Sequence, residues 1–262
     1  MEIIVCVKQV PGTSEVEVDP VTGVLKRDGV ASKMNPYDLF ALEAAFALTE
    51  QYGGTVQTLT MGPPQAKDVL LETLYMGAER GTVLSDRKFA GADVAATSYT
   101  IKCGIENIGA YDLILCGKQT TDGDTAQVGP EMAARLGLEH ASNVLSIQEV
   151  KDGYITVIVD LEDRRQTQRM ELPCLLCMEK DANTPRLPSY KRKCKVQPAQ
   201  LRTCSAADLG TLDENKCGLK GSPTQVERIF PPKKNTDKTL HTGTPEALSN
   251  ILCEALAARK LL

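Results

Sequence analysis

Through the first half of the chain, short apolar runs alternate with longer stretches whose apolar positions repeat at helical spacing. The runs Ile3 to Val7, Thr55 to Thr60, Thr82 to Leu84 and Leu113 to Cys116 are bounded by polar or glycine positions, which predicts short buried strands. Between them, Pro36 to Tyr52, Gln65 to Met76 and Asp93 to Ile108 predict helices. This order is that of a mostly parallel, doubly wound α/β sheet. Asn35 is the expected N-cap of the first helix, with Pro36 at the first helical position, Asp38 in the first turn and Gly53-Gly54 at the end.

After about residue 140 the pattern changes to strict alternation. Val144 to Val150 and Tyr154 to Asp160 flank Lys151-Asp152-Gly153, which predicts a β-hairpin with Asp-Gly in its turn and Ile155, Val157 and Val159 on one face. Glu171 to Met178 reads as a return strand. The segment from 198 to 243 has little periodicity and contains the irregular stretches GLKGSPTQV and FPPKKNTDK. A last helix is expected from Thr244-Pro245 through Leu262, with Leu248, Ile251, Leu252 and Ala255 on one face. The chain therefore divides into an α/β domain with its hairpin, residues 1–197, and an arm ending in a helix, residues 198–262. Such an arm suits a partner subunit, or the closing of the protein's own sheet.

Charge and composition exclude several classes. The net charge of −4 over 262 residues is too balanced to call for nucleic acid. No apolar run approaches the roughly 20 residues that span a bilayer, and the start MEIIVCVKQV enters a strand without a basic lead, so a cytoplasmic protein is expected. Nine cysteines would suggest disulfides in a secreted chain, but Cys6 and Cys116 sit in apolar runs, where the thiol acts as a small hydrophobe. Cys174 and Cys177 have redox-motif spacing, yet on a strand positions three apart face opposite sides and cannot chelate together. The two histidines, His140 and His241, lie near no partner at metal-ligand spacing. No nucleophile elbow, phosphate-binding lysine loop or glycine-rich dinucleotide fingerprint is present. No catalytic residue is expected from this chain alone.

The stretch YDLILCGKQTTDGDTAQVGPE, Tyr111 to Glu131, carries the strongest chemical signal. A buried strand breaks into a loop of small residues, where Gly123, Thr125, Ala126 and Gly129 let main-chain N–H groups approach an anion. Pro130 is expected at the first position of the helix that follows, with Met132, Ala133 and Leu136 on its inner face. The positive end of that helix would favour phosphate. Asp122 and Asp124 argue against a bare phosphate cradle and must turn away, cap backbone groups or face a ribose. Many such loops bind nothing. Two further segments end at the same sheet edge, Cys6-Val7-Lys8-Gln9 and Met34-Asn35-Pro36-Tyr37-Asp38, and one adenine nucleotide can bridge all three.

These segments, in this order, resemble the β subunit of the electron transfer flavoproteins. The resemblance covers most of the chain, through VCVKQVPG, MNPYDLFALEAA, TMGPPQAKDVLLETLYMGAERG, LCGKQTTDGDTAQVGPEMAARLG, LPCLLCMEKDANTPR and GSPTQV. It implies a flavodoxin-like or nucleotide-hydrolase-like sheet, pairing with an α subunit, and an adenine-nucleotide site at positions matching Cys6, Asn35, Pro36, Tyr37, Asp38, Met61, Asp122, Gly123, Asp124, Thr125, Ala126, Gln127, Val128, Gly129, Pro130, Glu131, Met132 and Ala133. Asn35 suits an adenine or ribose edge, and the amides from Thr125 to Gly129 suit phosphate.

The resemblance also offers a choice of ligand. In one branch of the family the β site holds AMP and the only flavin lies in the α subunit; in the electron-bifurcating branch it holds a second FAD. DGDTAQVGP and GSPTQV resemble the bifurcating branch, which favours FAD over AMP. The implied activity takes a hydride from NADH and splits the electrons between a dehydrogenase path and a low-potential acceptor such as ferredoxin. A nucleotide-sensing module without a redox role is the alternative of another class. After Pro185-Arg186, the family's dehydrogenase-docking leucine is replaced by Tyr190, followed by the basic run Lys191-Arg192-Lys193. That change is either drift to another amphipathic anchor or the mark of a dedicated partner, such as a dehydrogenase held in a stable complex.

Overall fold

The structure, a computed structural model, describes residues 1–12, 17–18, 25–26, 32–227, 236 and 238–262. Most of the stretch FPPKKNTDK lies outside the described residues. In chain order the main elements are β1 (Glu2–Cys6), α1 (Pro36–Tyr52), β2 (Thr55–Met61), α2 (Lys67–Met76), β3 (Arg80–Leu84), α3 (Val94–Ile108), β4 (Leu113–Gly117), α4 (Val128–Leu136), β5 (Glu139–Lys151), β6 (Tyr154–Leu161), β7 (Arg164–Glu171), β8 (Cys174–Met178), α5 (Tyr190–Lys193), β9 (Leu201–Cys204) and α6 (Pro245–Ala258). Between β1 and α1, Gln9–Pro11 pairs with Ser32–Met34 and Glu17–Val18 with Leu25–Lys26.

The nine main strands form one sheet in the order β7-β6-β5-β8-β4-β1-β2-β3-β9. The run from β5 to β9 across that order is parallel, and β6 and β7 add an antiparallel edge. Leu113, Ile114 and Leu115 are wholly buried because both faces of the sheet are covered. Ile3 and Val5 point into the core beneath α1 and α2; Ile4 and Cys6 point into the opposite core with α3 and α4. The fold is thus the expected α/β sandwich.

Several boundaries differ from the sequence pattern. The segment RRQTQRME forms β7, which hydropathy does not reveal because it is an edge strand with six of its eight residues exposed. The return strand predicted from Glu171 breaks at Leu172-Pro173, since proline offers no N–H to the ladder, and resumes as β8 at Cys174. Leu201–Cys204 joins the sheet beside β3, so the arm expected from residue 198 leaves the sheet only after β9. The hairpin turn is as predicted, with Asp152 and Gly153 both at positive φ, 53° and 79°. The last helix begins at its Thr244 cap, whose side chain accepts the Ala247 amide, and stops at Ala258 with none of its residues buried.

Candidate functional site

From β1 the chain moves through α1 toward β2, and from β4 it moves through α4 toward the other half of the sheet. The carboxyl ends of β1 and β4 therefore border the switch point, where doubly wound sheets open a crevice. Asp38, in the first turn of α1, spans that point. Its Oδ2 accepts the Lys8 amide at 2.7 Å, and its Oδ1 accepts the Gly117 amide at 3.2 Å and Asn35 Nδ2 at 2.9 Å. Burial pushes its acid up to about 7, against the lowering effect of the bonds from Asn35, Lys8 and Gly117. Gly117 packs so closely that a Cβ would lie 2.5 Å from Asp38 Oδ1 and 2.6 Å from Tyr37 Cβ.

Asn35 organises the loop that follows β4. It does not cap α1 through its side chain; instead its Nδ2 also donates to the Gln119 carbonyl at 2.9 Å and its Oδ1 accepts the Thr121 amide at 3.3 Å. The side chain is fully buried, and both of its Nδ2 hydrogens are given to Asp38 and the loop. Asp122 receives Lys8 Nζ on both oxygens, at 2.7 and 2.8 Å. Burial raises its acid, but the Lys8 ammonium outweighs this and holds it below the usual carboxylate range. Asp124 turns back to accept from Gln119 Nε2, while its amide donates to the Thr120 carbonyl at 3.0 Å.

The loop then takes the backbone conformation of a nest. Asp124 and Ala126 have φ of 53° and 54°, with Thr125 between them at negative φ, an alternation that turns successive amides toward one concavity. Among the described residues, none of the five consecutive amides from Thr125 to Gly129 donates to a protein acceptor. Helix α4 starts at Val128, two residues before the expected Pro130; the preceding Gly129 has no Cβ to clash with the proline ring, so helical geometry extends back through it. A Cβ on Gly129 would lie 2.4 Å from Cys177 Sγ and 3.0 Å from Cys116 Sγ.

Cys6, Cys116 and Cys177 are cross-strand neighbours on β1, β4 and β8, and their thiols floor the first turn of α4. Burial pushes the Cys6 thiol up to about 12, and the hydrogen bond to Cys177, 3.6 Å away, adds to burial in raising Cys116. Cys174 and Cys177 face opposite cores, as strand geometry requires. No metal-holding group of three His, Cys, Asp or Glu side chains occurs among the described residues.

The other sequence candidates fall into place around this centre. Pro36, Tyr37 and Met61 are half-buried at the same sheet edge. Met132 and Ala133 are buried in the core under α4, and Glu131 accepts from Ser98 Oγ at 2.9 Å, so these three support the helix and do not line the nest. GSPTQV reaches the same edge by another route. Ser222 Oγ accepts the Asp93 amide at 2.9 Å, and the Thr224 amide and hydroxyl donate to Asp93 Oδ2 at 3.0 and 2.7 Å, bracketing the start of α3. Lys8 and Gly117 lie in segments that the sequence brought to this edge, but their individual bonds, to Asp122 and to Asp38, were not read from it.

A second surface lies on α1 and α2. Arg186 Nε and Nη2 grip Glu43 at 2.9 Å each, Nη1 meets Glu50 Oε1 at 2.5 Å, and the guanidinium stacks 4.8 Å from the Phe46 ring centre. Ser189 donates its amide to Tyr75 O at 2.9 Å, and Arg192 reaches the Met76 carbonyl at the end of α2. Between these fixed points Leu187 and Tyr190 stand 86% and 80% exposed.

Comparison with known proteins decides the family: the model for the electron transfer flavoprotein domain matches residues 22–207. The chain belongs to the electron transfer flavoproteins, as a β subunit. It is 43% identical to the electron transfer flavoprotein subunit beta of Clostridium acetobutylicum, over 98% of this chain and 95% of that one. It is 44% identical to protein FixA of Azorhizobium caulinodans, over 91% of this chain and 87% of the relative. The caffeyl-CoA reductase-Etf complex subunit CarD of Acetobacterium woodii is 43% identical over 93% of both chains. As an electron transfer flavoprotein β subunit the chain works in electron transfer and pairs with an α subunit. Family membership implies flavin or nucleotide association, and the residues fit it: free amides at a helix start and glycines too close to their neighbours to carry a side chain. No helix among the described residues is long and apolar enough to cross a membrane.

Proposed function

We propose that this β subunit holds FAD across the switch point and, with an α subunit carrying a second FAD, takes a hydride from NADH and divides its electrons between a dehydrogenase path and a low-potential acceptor such as ferredoxin. When bound, the flavin supplies the redox chemistry. The chain's own residues bind and orient it. The amides from Thr125 to Gly129 hold phosphate, Asp38 fixes the two strand ends that frame the nucleotide, and Gly117 and Gly129 keep the backbone thin. The nine free thiols fit a reducing cytoplasm.

The observation that carries this reading is the run of five amides without a protein acceptor, at a loop in which Gly123, Thr125 and Ala126 carry only small side chains. The arm lays the open apolar face of α6 on the α subunit, and Leu187 with Tyr190 docks the dehydrogenase. The relative CarD is named as a subunit of a complex containing a reductase, which favours a partner held stably. AMP as a structural ligand is the second reading. Asp122 and Asp124 favour it, because two carboxylates on the loop oppose a second phosphate.

Ala126→Arg tests the assignment, since it puts a bulky side chain at φ 54° in the nest. In the purified heterodimer it should remove the β nucleotide, spare the α flavin, and abolish anaerobic reduction by NADH. Undiminished NADH reduction of a variant that has lost the β nucleotide would count against the mechanism.

A further inference from the structure

Lys8 lies where the phosphate site needs a cation. Its amide is fixed at the end of β1 by Asp38 Oδ2 at 2.7 Å, and its side chain crosses the crevice to both oxygens of Asp122 on the opposite loop. Asp122 is three residues before Thr125, so the backbone that carries the ammonium group's partner is at most about 10 Å along the chain from the first free amide. The other lysine of these loops, Lys118, is taken by Glu179 at 2.7 Å. The loop itself brings two carboxylates, Asp122 and Asp124, and a phosphate entering the nest meets their field.

The Lys8 side chain is 44% exposed and that of Asp122 30%. Ion pairs this wet contribute on the order of 0–1 kcal/mol, so exchanging one anionic partner for another costs little. A phosphate with up to two negative charges and several acceptor oxygens competes well with one carboxylate for an ammonium group.

We infer that Lys8 is a phosphate-binding residue of the nucleotide site, shared between Asp122 and the nucleotide's phosphate, and that it makes the site select nucleotides over nucleosides. This rests on the nucleotide-binding reading above, but not on the choice between AMP and FAD. Asp122 positions the ammonium group. Its partner changes when phosphate arrives, while the main-chain anchor at Asp38 stays.

The test is equilibrium binding of adenosine, AMP and ADP to the heterodimer after its exchangeable nucleotide is removed by dialysis. Wild type should bind AMP and ADP more tightly than adenosine. Lys8→Met should lose at least tenfold in affinity for AMP and ADP while changing adenosine affinity less than twofold, and Lys8→Arg should keep most of the preference. Asp122→Asn should bind AMP at least as tightly as wild type, because it removes the competing carboxylate and leaves the cation. If Lys8 only latches the loop, Lys8→Met and Asp122→Asn will weaken adenosine and AMP alike, which overturns the inference. Unchanged AMP affinity in Lys8→Met overturns it too. Should Lys8→Met fail to assemble, Asp122→Asn carries the test through the sign of its effect. Failure of wild type to bind any of the three ligands would instead overturn the nucleotide-binding reading.

Discussion

Asp38 Oδ1 accepts the amide of Gly117 at 3.2 Å, so a side chain from the first turn of α1 fastens the end of β4. The same carboxyl group holds the amide of Lys8, at the end of β1, and the switch-point crevice therefore has one buried acid as its hinge pin. Asp38→Asn must turn an NH2 group toward one of these donors. An unmatched buried donor costs about 1–3 kcal/mol, and nucleotide retention by the heterodimer should fall about tenfold, as measured by nucleotide release on dilution.

The pH dependence of that carboxylate has a definite sign. An ordinary Asp titrates near 4, whereas burial pushes Asp38 up to about 7 in the folded chain. The folded state holds this proton more tightly, so its contribution is full below about pH 4 and is lost as pH rises to about 7. Denaturation of wild type and Asp38→Asn across that window should give a stability difference, wild type minus variant, that declines with rising pH. Its slope should not exceed about 1.4 kcal/mol per pH unit. A flat or rising difference contradicts the assigned shift.

Gly129 is required by contact with the thiol row. Gly129→Ala places a methyl group 2.4 Å from Cys177 Sγ, which forces α4 away from the sheet and should release the β nucleotide. Cys177→Ala removes the nearer sulfur, so the double variant should regain part of the nucleotide content of wild type. If Gly129→Ala alone retains full nucleotide, the helix start does not depend on this close approach.

Docking should separate cleanly from nucleotide binding. Leu187 and Tyr190 are displayed by a segment that Arg186 clamps to α1, and neither belongs to the loop that forms the nest. Tyr190→Ala should weaken dehydrogenase binding by about 2 kcal/mol, roughly 30-fold, with nucleotide content unchanged. Arg186→Met should imitate it by freeing the segment. Surface plasmon resonance with the copurifying dehydrogenase reads both, and unaltered affinity in both variants would remove this surface from the account.

Helix α6 offers a third test. Ile251 and Leu252 are 37% and 59% exposed in the single chain, on a helix of which nothing is buried. Leu252→Asp should therefore loosen the heterodimer, seen as dissociation at low concentration in sedimentation. The isolated β chain should show little change in melting temperature.

The sequence made the parallel core legible because two-sided burial leaves continuous apolar runs such as Leu113 to Cys116, and because Asn35-Pro36 and Gly53 mark both ends of α1. It concealed β7, whose Arg164, Arg165 and Arg169 face water and carry no hydrophobic alternation. It concealed β9 because a four-residue edge strand is too short for a periodic signal. At the site, the small residues of the loop announced the nest. The sequence placed Asn35 at this edge but did not reveal that its side chain bonds to Asp38, Gln119 and Thr121, since these bonds join residues up to 86 positions apart. The same long range hid the pairing of Lys8 with Asp122.

The most direct measurement is the nucleotide content of the purified heterodimer, released by acid and separated by chromatography. The account predicts two FAD per αβ pair and no AMP. One FAD and one AMP per pair would contradict it and establish the β site as a structural AMP site.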